Sequence, residues 1–103
     1  MALSRDLFLG FIKLHILYHA GREPVFGLWL IEELAHHGYR LSPGTLYPIL
    51  HSMEREGLLV SESRVVDGKA RKYYRLTEAG ETALTEGKSK ARELLDEVET
   101  YDP

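Results

Sequence analysis

The Asp67-Gly68 pair constrains the fold of this chain more than any other feature of its sequence. It separates two extended runs, LLVSESRVV and KARKYYRLT. Asp-Gly between two such runs is the strongest short signal for a β-hairpin. If these two residues form the turn, Val66 faces Lys69, and the pairing of every other residue in the two strands follows. This register points three side chains towards a core: Leu59, Tyr74 and Leu76.

The outer face of the predicted hairpin is basic. The same register places Arg64 beside Arg71, and like charges directly opposite each other destabilise an isolated sheet. The arrangement becomes favourable if an anion lies between them. The net charge of the chain is -3, yet residues 64–75 carry five basic side chains and one acid, Asp67. Because a local basic patch matters more for phosphate binding than the net charge, the hairpin is either a phosphate-binding element or a solvated basic surface.

The stretch SPGTLYPILHSMEREG, residues 42–57, predicts a helix just before the hairpin. Its apolar side chains follow helical spacing and form one stripe: Leu46, Ile49, Leu50 and Met53. Ser42 suits the N-cap, Pro43 the first helical position and Gly57 the stop. The opposite face carries side chains that form hydrogen bonds: Thr45, Tyr47, His51, Ser52 and Arg55. This face suits a helix that enters a DNA groove, although an ordinary amphipathic helix has the same pattern.

Residues 3–20 predict a first helix with more apolar surface than one small core can bury. One stripe is formed by Leu7, Phe11, Leu14 and Tyr18, and another side carries Phe8, Ile12 and Ile16. A helix that is apolar nearly all round is either central to its own domain or shared with another subunit. The excess of apolar surface favours sharing.

A heptad seam runs through the charged last helix, which Thr77 can cap. The seam residues are Leu84, Gly87, Ala91, Leu94, Val98 and Tyr101. Such a seam needs a partner helix, either the chain's own first helix or that of a second subunit. We favour a second subunit. The predicted dimer interface consists of Phe8, Phe11, Ile12, Leu84, Ala91, Leu94, Val98 and Tyr101.

Residues 26–37 predict the second helix, and Gly38 closes it. Its inward-facing side chains are expected to be Leu28, Ile31, Leu34 and Ala35. Trp29 lies on the same side as Glu33, outside this stripe. It is a candidate contact for a small effector, or it covers the edge of the core.

His15 and His19 are four residues apart on the first helix, a spacing that can chelate a metal ion. The zinc-peptidase pattern requires a glutamate where Ile16 stands, and the sequence near the pair offers no third ligand. We therefore expect two partly exposed histidines, with no metal site and no cofactor.

Composition excludes several classes of protein. The 103 residues predict one domain, and the absence of cysteine fits a reducing cytoplasm. No apolar run reaches the length of a membrane span, and charged residues interrupt the apolar start, which argues against a signal peptide. The chain has no nucleophile elbow, no glycine-rich phosphate loop and no convincing carboxylate pair. We therefore expect a protein that is not an enzyme.

The order of the predicted elements is three helices, a basic two-stranded hairpin and a long helix. This order is typical of a winged helix-turn-helix, an α+β fold that is mainly helical. The third helix would read the major groove of double-stranded DNA, and the hairpin would be the wing. We predict that residues 1–78 form the DNA-binding domain and that residues 79–103 form a dimerisation helix packed with the first helix.

The blocks PGTLYPILHSMEREGLL and RKYYRLTEAG resemble the PadR family of bacterial transcriptional regulators. The resemblance runs from about Leu14 to Leu84, and the compact length is similar to that of the family's short subgroup. GTLYP and KYYRLT at this separation are specific together, whereas either alone would be weak. The chain departs from the family at FGLWL, since many members have His-Gly-Tyr where Phe26-Gly27-Leu28 stands.

The resemblance implies a homodimeric repressor with Thr45 and Tyr47 at the DNA-facing end of the third helix, and Lys72 and Tyr73 in the wing. It also implies a last helix packed against the partner's first helix, and release by a small lipophilic or aromatic effector. Two half-sites imply a palindromic operator. The candidate DNA contacts are Ser42, Thr45, Tyr47, His51, Arg55, Arg64, Lys69, Arg71, Lys72 and Tyr73. The alternative is a winged-helix module for protein–protein contact, with an acidic partner on the wing.

Overall fold

The computed structural model describes residues 2–100, which form four helices and three strands. The elements in chain order are α1 Ala2–Arg22, β1 Val25–Phe26, α2 Gly27–His36, α3 Pro43–Arg55, β2 Leu59–Val66, β3 Lys69–Leu76 and α4 Glu78–Thr100. The α+β order of a winged helix-turn-helix is confirmed. Within the described residues, no helix is both long and apolar enough to cross a membrane.

The hairpin has the predicted register. Asp67 and Gly68 have positive φ angles of 52° and 77°, as the two central residues of a type I′ turn require. Val66 pairs with Lys69, and the pairing continues along the strands to Leu59 and Leu76. Leu59 and Tyr74 are buried in the core, while Leu76 is half-buried.

The prediction of a two-stranded wing was wrong, because the sheet has a third strand. The strand order is β1-β3-β2, with Val25 paired to Tyr74 and Phe26 paired to Tyr73. A strand of two residues is too short to show any periodicity in the sequence. It attaches the start of α2 to β3, so that α2 begins at Gly27 and not at residue 26.

One hydrophobic core joins all three strands to the first three helices. Its buried members are Ile12, Ile16, Leu17, Ala20, Val25, Leu30, Leu34, Leu46, Leu50, Met53, Leu59 and Tyr74. The predicted stripe on α3 is confirmed, with Ile49 half-buried at its edge. The predicted face of α2 was wrong at Leu28, which is 56% exposed, because Gly27 and Leu30 face inward instead.

The close approach of α2 to α3 fixes the rotation of α2. A Cβ atom at position 27 would overlap the ring of Tyr47, so only glycine permits this contact. With Gly27 turned towards α3, helical spacing places Leu30 and Leu34 on the same inward face. Leu28 is then carried to the surface.

Two predicted helix caps differ in outcome. Thr77 caps α4, because its hydroxyl accepts a hydrogen bond of 3.0 Å from the Gly80 amide, and it also donates to the Gly57 carbonyl. Ser42 is the N-cap residue of α3, but its side chain makes no capping hydrogen bond. The Ser42 hydroxyl instead donates to the Thr45 hydroxyl at 3.3 Å.

The seam on α4 divides into two halves. The first half packs on the chain's own α1, since Leu84 and Ala91 are half-buried and a Cβ at Gly87 would overlap the side chain of Leu14. The second half is exposed, with Leu94 and Val98 each 58% accessible. The first half therefore follows the alternative in which the chain's own first helix is the partner.

The structure also corrects one predicted interface residue on α1. Ile12 is only 5% exposed and belongs to the core of the single chain, because the docking of α1 on the other helices turns this side inward. Phe8 and Phe11 are exposed, together with Leu3, Leu7 and Tyr18. Tyr101 lies outside the described residues.

Candidate nucleic-acid interface

The solvent-facing side of α3 carries most of the polar side chains that the sequence predicted. Thr45, His51 and Arg55 are exposed, and Ser42 is exposed at the start of the helix. The buried stripe holds this helix rigidly from behind. The arrangement presents donors and acceptors towards solvent, as a helix that reads base edges must do.

Tyr47 occupies a different position from its neighbours on this face. Its half-buried ring packs against Gly27 at the start of α2, and its centroid lies 6.4 Å from that of His51. Tyr47 therefore joins α2 to α3 and also borders the polar surface. The sequence alone did not show this second contact.

Tyr47 and the wing line the same cleft. The cleft has a volume of about 270 Å³ and is bordered by Phe26, Gly27, Leu28, Tyr47, Lys69, Ala70, Arg71 and Lys72. It brings α3, the start of α2 and strand β3 together. The sequence did not indicate Phe26, Gly27, Leu28 and Ala70 as border residues, because the contact between α2 and α3 and the short strand β1 leave no periodic signal in it.

The facing arginines on the wing each have a partner within the chain. Arg64 donates to the Glu62 carboxylate through Nε at 2.8 Å and lies 4.7 Å from the centre of the Tyr73 ring. Arg71 lies 4.5 Å from the centre of the Phe26 ring. These contacts accommodate both charges within the chain, and an anion between the two arginines stays a prediction.

The charge of Arg64 is partly neutralised by its neighbour. The hydrogen bond from Arg64, followed by the positive charge of its guanidinium, lowers the pKa of the Glu62 carboxyl. Tyr73 is half-buried and packs edge-on against Phe26 at 5.5 Å, so the two rings that contact Arg64 and Arg71 also contact each other. In residues 2–100, Lys69 and Lys72 are exposed and form no ion pair.

The structure also locates the predicted effector contact and the histidine pair. Trp29 is half-buried and packs edge-on against His19, with ring centroids 5.3 Å apart. His15 and His19 lie beside His37, which the chain brings back from the end of α2. A third histidine, which the sequence near the pair does not offer, therefore lies beside it, because helix docking brings it from a distant position.

Known proteins show the same sequence pattern and the same fold. The model of the transcriptional regulator PadR-like family matches residues 16–86. The transcriptional regulator Rv3488 of Mycobacterium tuberculosis is 60% identical over 87 residues, which span 84% of this chain and 81% of that protein.

Solved structures agree with this assignment. A PadR family transcriptional regulator from Eggerthella lenta has a TM-score of 0.81 at 36% identity, covering 94% of this chain and 86% of its own. A PadR-like transcription factor from Bacteroides fragilis has a TM-score of 0.82 at 29% identity, and the match covers 96% of this chain and 97% of that one. Regulators of this family bind DNA and are not enzymes, which confirms the expectation that this chain is not one. The family model, the relative and the shared fold together show that this chain belongs to the PadR-like family of transcriptional regulators.

Proposed function

We propose that this regulator is a sequence-specific repressor that binds a palindromic operator as a homodimer and is released by a small lipophilic or aromatic compound. The observation that carries the proposal is the cleft shared by Tyr47 of α3 and Lys69–Lys72 of the wing. A recognition helix and a basic strand that border one cleft can contact adjacent groove and phosphate surfaces of the same duplex.

The two elements have different chemical roles in this proposal. Thr45, His51 and Arg55 of α3 supply hydrogen bonds to base edges, which carry sequence specificity. Lys69 and Lys72 supply charge to the phosphates, which carries affinity but little specificity. Tyr47 lies between these two surfaces.

The homodimer rests on apolar surface that a single chain leaves exposed. The outer half of α4 exposes Leu94, Leu95 and Val98, and α1 exposes Phe8 and Phe11. One winged helix reads one half-site, so two recognition helices must be held about one helical turn apart to read a palindrome. We propose that α4 of one subunit packs on the partner's α1 and sets this spacing.

The effector proposal is supported by an apolar cleft of about 650 Å³ between α1 and α3. Its lining includes Phe8, Leu9, Tyr39, Leu41 and Ile49, and the exposed Thr45 of α3 lies at its border. A hydrophobic ligand in this cleft would contact both the helix that we assign to the dimer and the helix that we assign to DNA. Trp29 does not line this cleft and packs instead against His19 on α1, so we retain it only as the fluorescent reporter.

A gel shift with the DNA immediately upstream of the coding region tests the proposed function. We expect a retarded complex that survives excess unrelated DNA and whose affinity falls steeply with salt, since phosphate contacts release counterions. Planar aromatic compounds are then added to the preformed complex to test the effector. A basic protein-interaction module would bind all duplexes alike or none, and that result would contradict the proposal.

Removing the two unpaired lysines of the wing should weaken DNA binding without changing its sequence preference. For Lys69→Ala with Lys72→Ala we expect the slope of log affinity against log salt to flatten by about 0.9 for each lost phosphate contact. Fluorescence anisotropy at several salt concentrations measures this slope. The matched control is Lys88→Ala with Lys90→Ala, which removes the same charge from an exposed part of α4. Equal slopes for both double variants would exclude the wing from the interface.

A further inference from the structure

Three histidines from two separate parts of the chain converge on one side of the molecule. His15 and His19 lie one turn apart on α1, and His37 immediately follows the last residue of α2. One ring nitrogen from each lies within 4.8 Å of the others. The rings of His15 and His37 are stacked, with centroids 4.3 Å apart.

A carboxylate completes the group. Oε2 of Glu33 lies 3.5 Å from Nε2 of His19 and 3.1 Å from Nε2 of His37. Glu33 lies on α2, and His37 follows four residues later, immediately after the helix ends. Helix α1 therefore contributes two histidines, and α2 with the residue after it contributes one carboxylate and one histidine. The four side chains line a cleft between α1 and α2.

The surroundings lower the pKa of two of these histidines, His15 and His19. Burial lowers the pKa of His15, and the neighbouring His37 and His19 lower it further. Burial also lowers the pKa of His19, an effect that Glu33 opposes and His37 reinforces. Burial acts to raise the pKa of Glu33, but the hydrogen bond with His37 and the charges of the nearby histidines outweigh it and lower the pKa. Neutral imidazole and ionised carboxylate are the ligand forms.

We propose that His15, His19, His37 and Glu33 bind one divalent transition-metal ion of the zinc class, which links α1 to the end of α2. Three nitrogens and one oxygen suit Zn²⁺ and related ions, whereas Mg²⁺ and Ca²⁺ prefer sites made of oxygen alone. Ligand nitrogens of a tetrahedral zinc site lie roughly 3.4 Å apart, given Zn–N bonds of about 2.0–2.1 Å. Metal binding would therefore require small rotations of the side chains that bring the ligand atoms closer than their present separation of up to 4.8 Å.

Such a site would couple two parts of the molecule. The same cleft is lined by Phe11 and Tyr18, which are exposed on α1, and by Ala91 of α4. The metal would fix α1 against α2 and would stabilise the folded chain in proportion to its affinity. The site itself stands independently of the proposed operator binding.

The test uses the full chain without a polyhistidine tag, because a tag would bind the metal itself. After treatment with a chelator and buffer exchange, Zn²⁺ is titrated in competition with a chromophoric chelator. We expect one Zn²⁺ per chain and a rise in the melting temperature. His15→Ala, His37→Ala and Glu33→Gln should each weaken the zinc affinity by about 10-fold to 100-fold or more. Loss of a residue that only hydrogen-bonds to a metal ligand already weakens metal affinity by about this factor.

The matched control is His51→Ala, which removes a histidine from α3 and should leave the zinc affinity unchanged. Circular dichroism checks that each variant is folded. In the unaltered chain, NMR should show the ring resonances of His15, His19 and His37 shifting with Zn²⁺ while those of His51 stay in place. Zinc affinity that falls equally in His51→Ala, or ring resonances that do not move with added zinc, would overturn the proposal.

Discussion

Leu94→Asp is expected to convert the proposed dimer into a monomer and to abolish tight binding to a palindromic operator. Leu94 is 58% exposed in one chain, so the substitution should not disturb the protomer core. In the proposed dimer it becomes buried, and each buried leucine contributes about 1.5–3 kcal/mol. An unpaired carboxylate in an apolar interface adds a further penalty. A loss of about 3 kcal/mol already weakens association by more than 100-fold.

Analytical ultracentrifugation and anisotropy with a palindromic duplex measure this effect. Ser89→Asp is the matched control, because Ser89 is exposed on α4 and lies outside the seam. It should leave both the dimer and the operator affinity intact. If Leu94→Asp sediments as a stable dimer with normal operator affinity, the dimer is built on another surface.

Tyr47→Ala should cause the second large effect, a loss of both stability and specific DNA binding. The ring packs against Gly27 and is half-buried, so its truncation should lower the free energy of unfolding by about 1–3 kcal/mol. Because Tyr47 also borders the cleft next to the wing, the same change should weaken specific binding by about 1–3 kcal/mol.

Tyr47→Phe separates the two contributions. It keeps the ring against Gly27 and removes only the hydroxyl. We expect a thermal midpoint close to that of the unaltered chain, together with a loss of discrimination between operator and mismatched duplexes. Thermal denaturation and competition anisotropy give these two quantities. Wild-type discrimination in Tyr47→Phe would restrict Tyr47 to a packing role.

Local features explain why much of the fold was predictable. The two-residue Asp67-Gly68 turn determines every pair in β2 and β3, because residue pairing in a hairpin follows directly from the turn. The spacing of Leu46, Leu50 and Met53 likewise predicted the buried side of α3. Thr77 was recognised as a cap from its position just before the acidic first turn of α4.

The candidate site was predictable in part. The polar side of α3 and the exposed lysines of the wing follow from periodicity and register. Their contacts with DNA remain predictions. The partners of Arg64 and Arg71 did not follow, since Phe26 reaches the wing only through β1, a two-residue strand without periodicity.

The sequence by itself determined the order of the elements, the hairpin register and the buried side of α3, because each depends on residues that are close in the chain. Only the tertiary structure decided which residues that are far apart in the chain contact each other. It turned Leu28 outward through the contact of Gly27 with Tyr47, divided the α4 seam into a half-buried part up to Ala91 and an exposed part from Leu94, and brought His37 to the histidine pair. These outcomes depend on the angles and distances at which helices dock, and periodicity within one helix does not specify them.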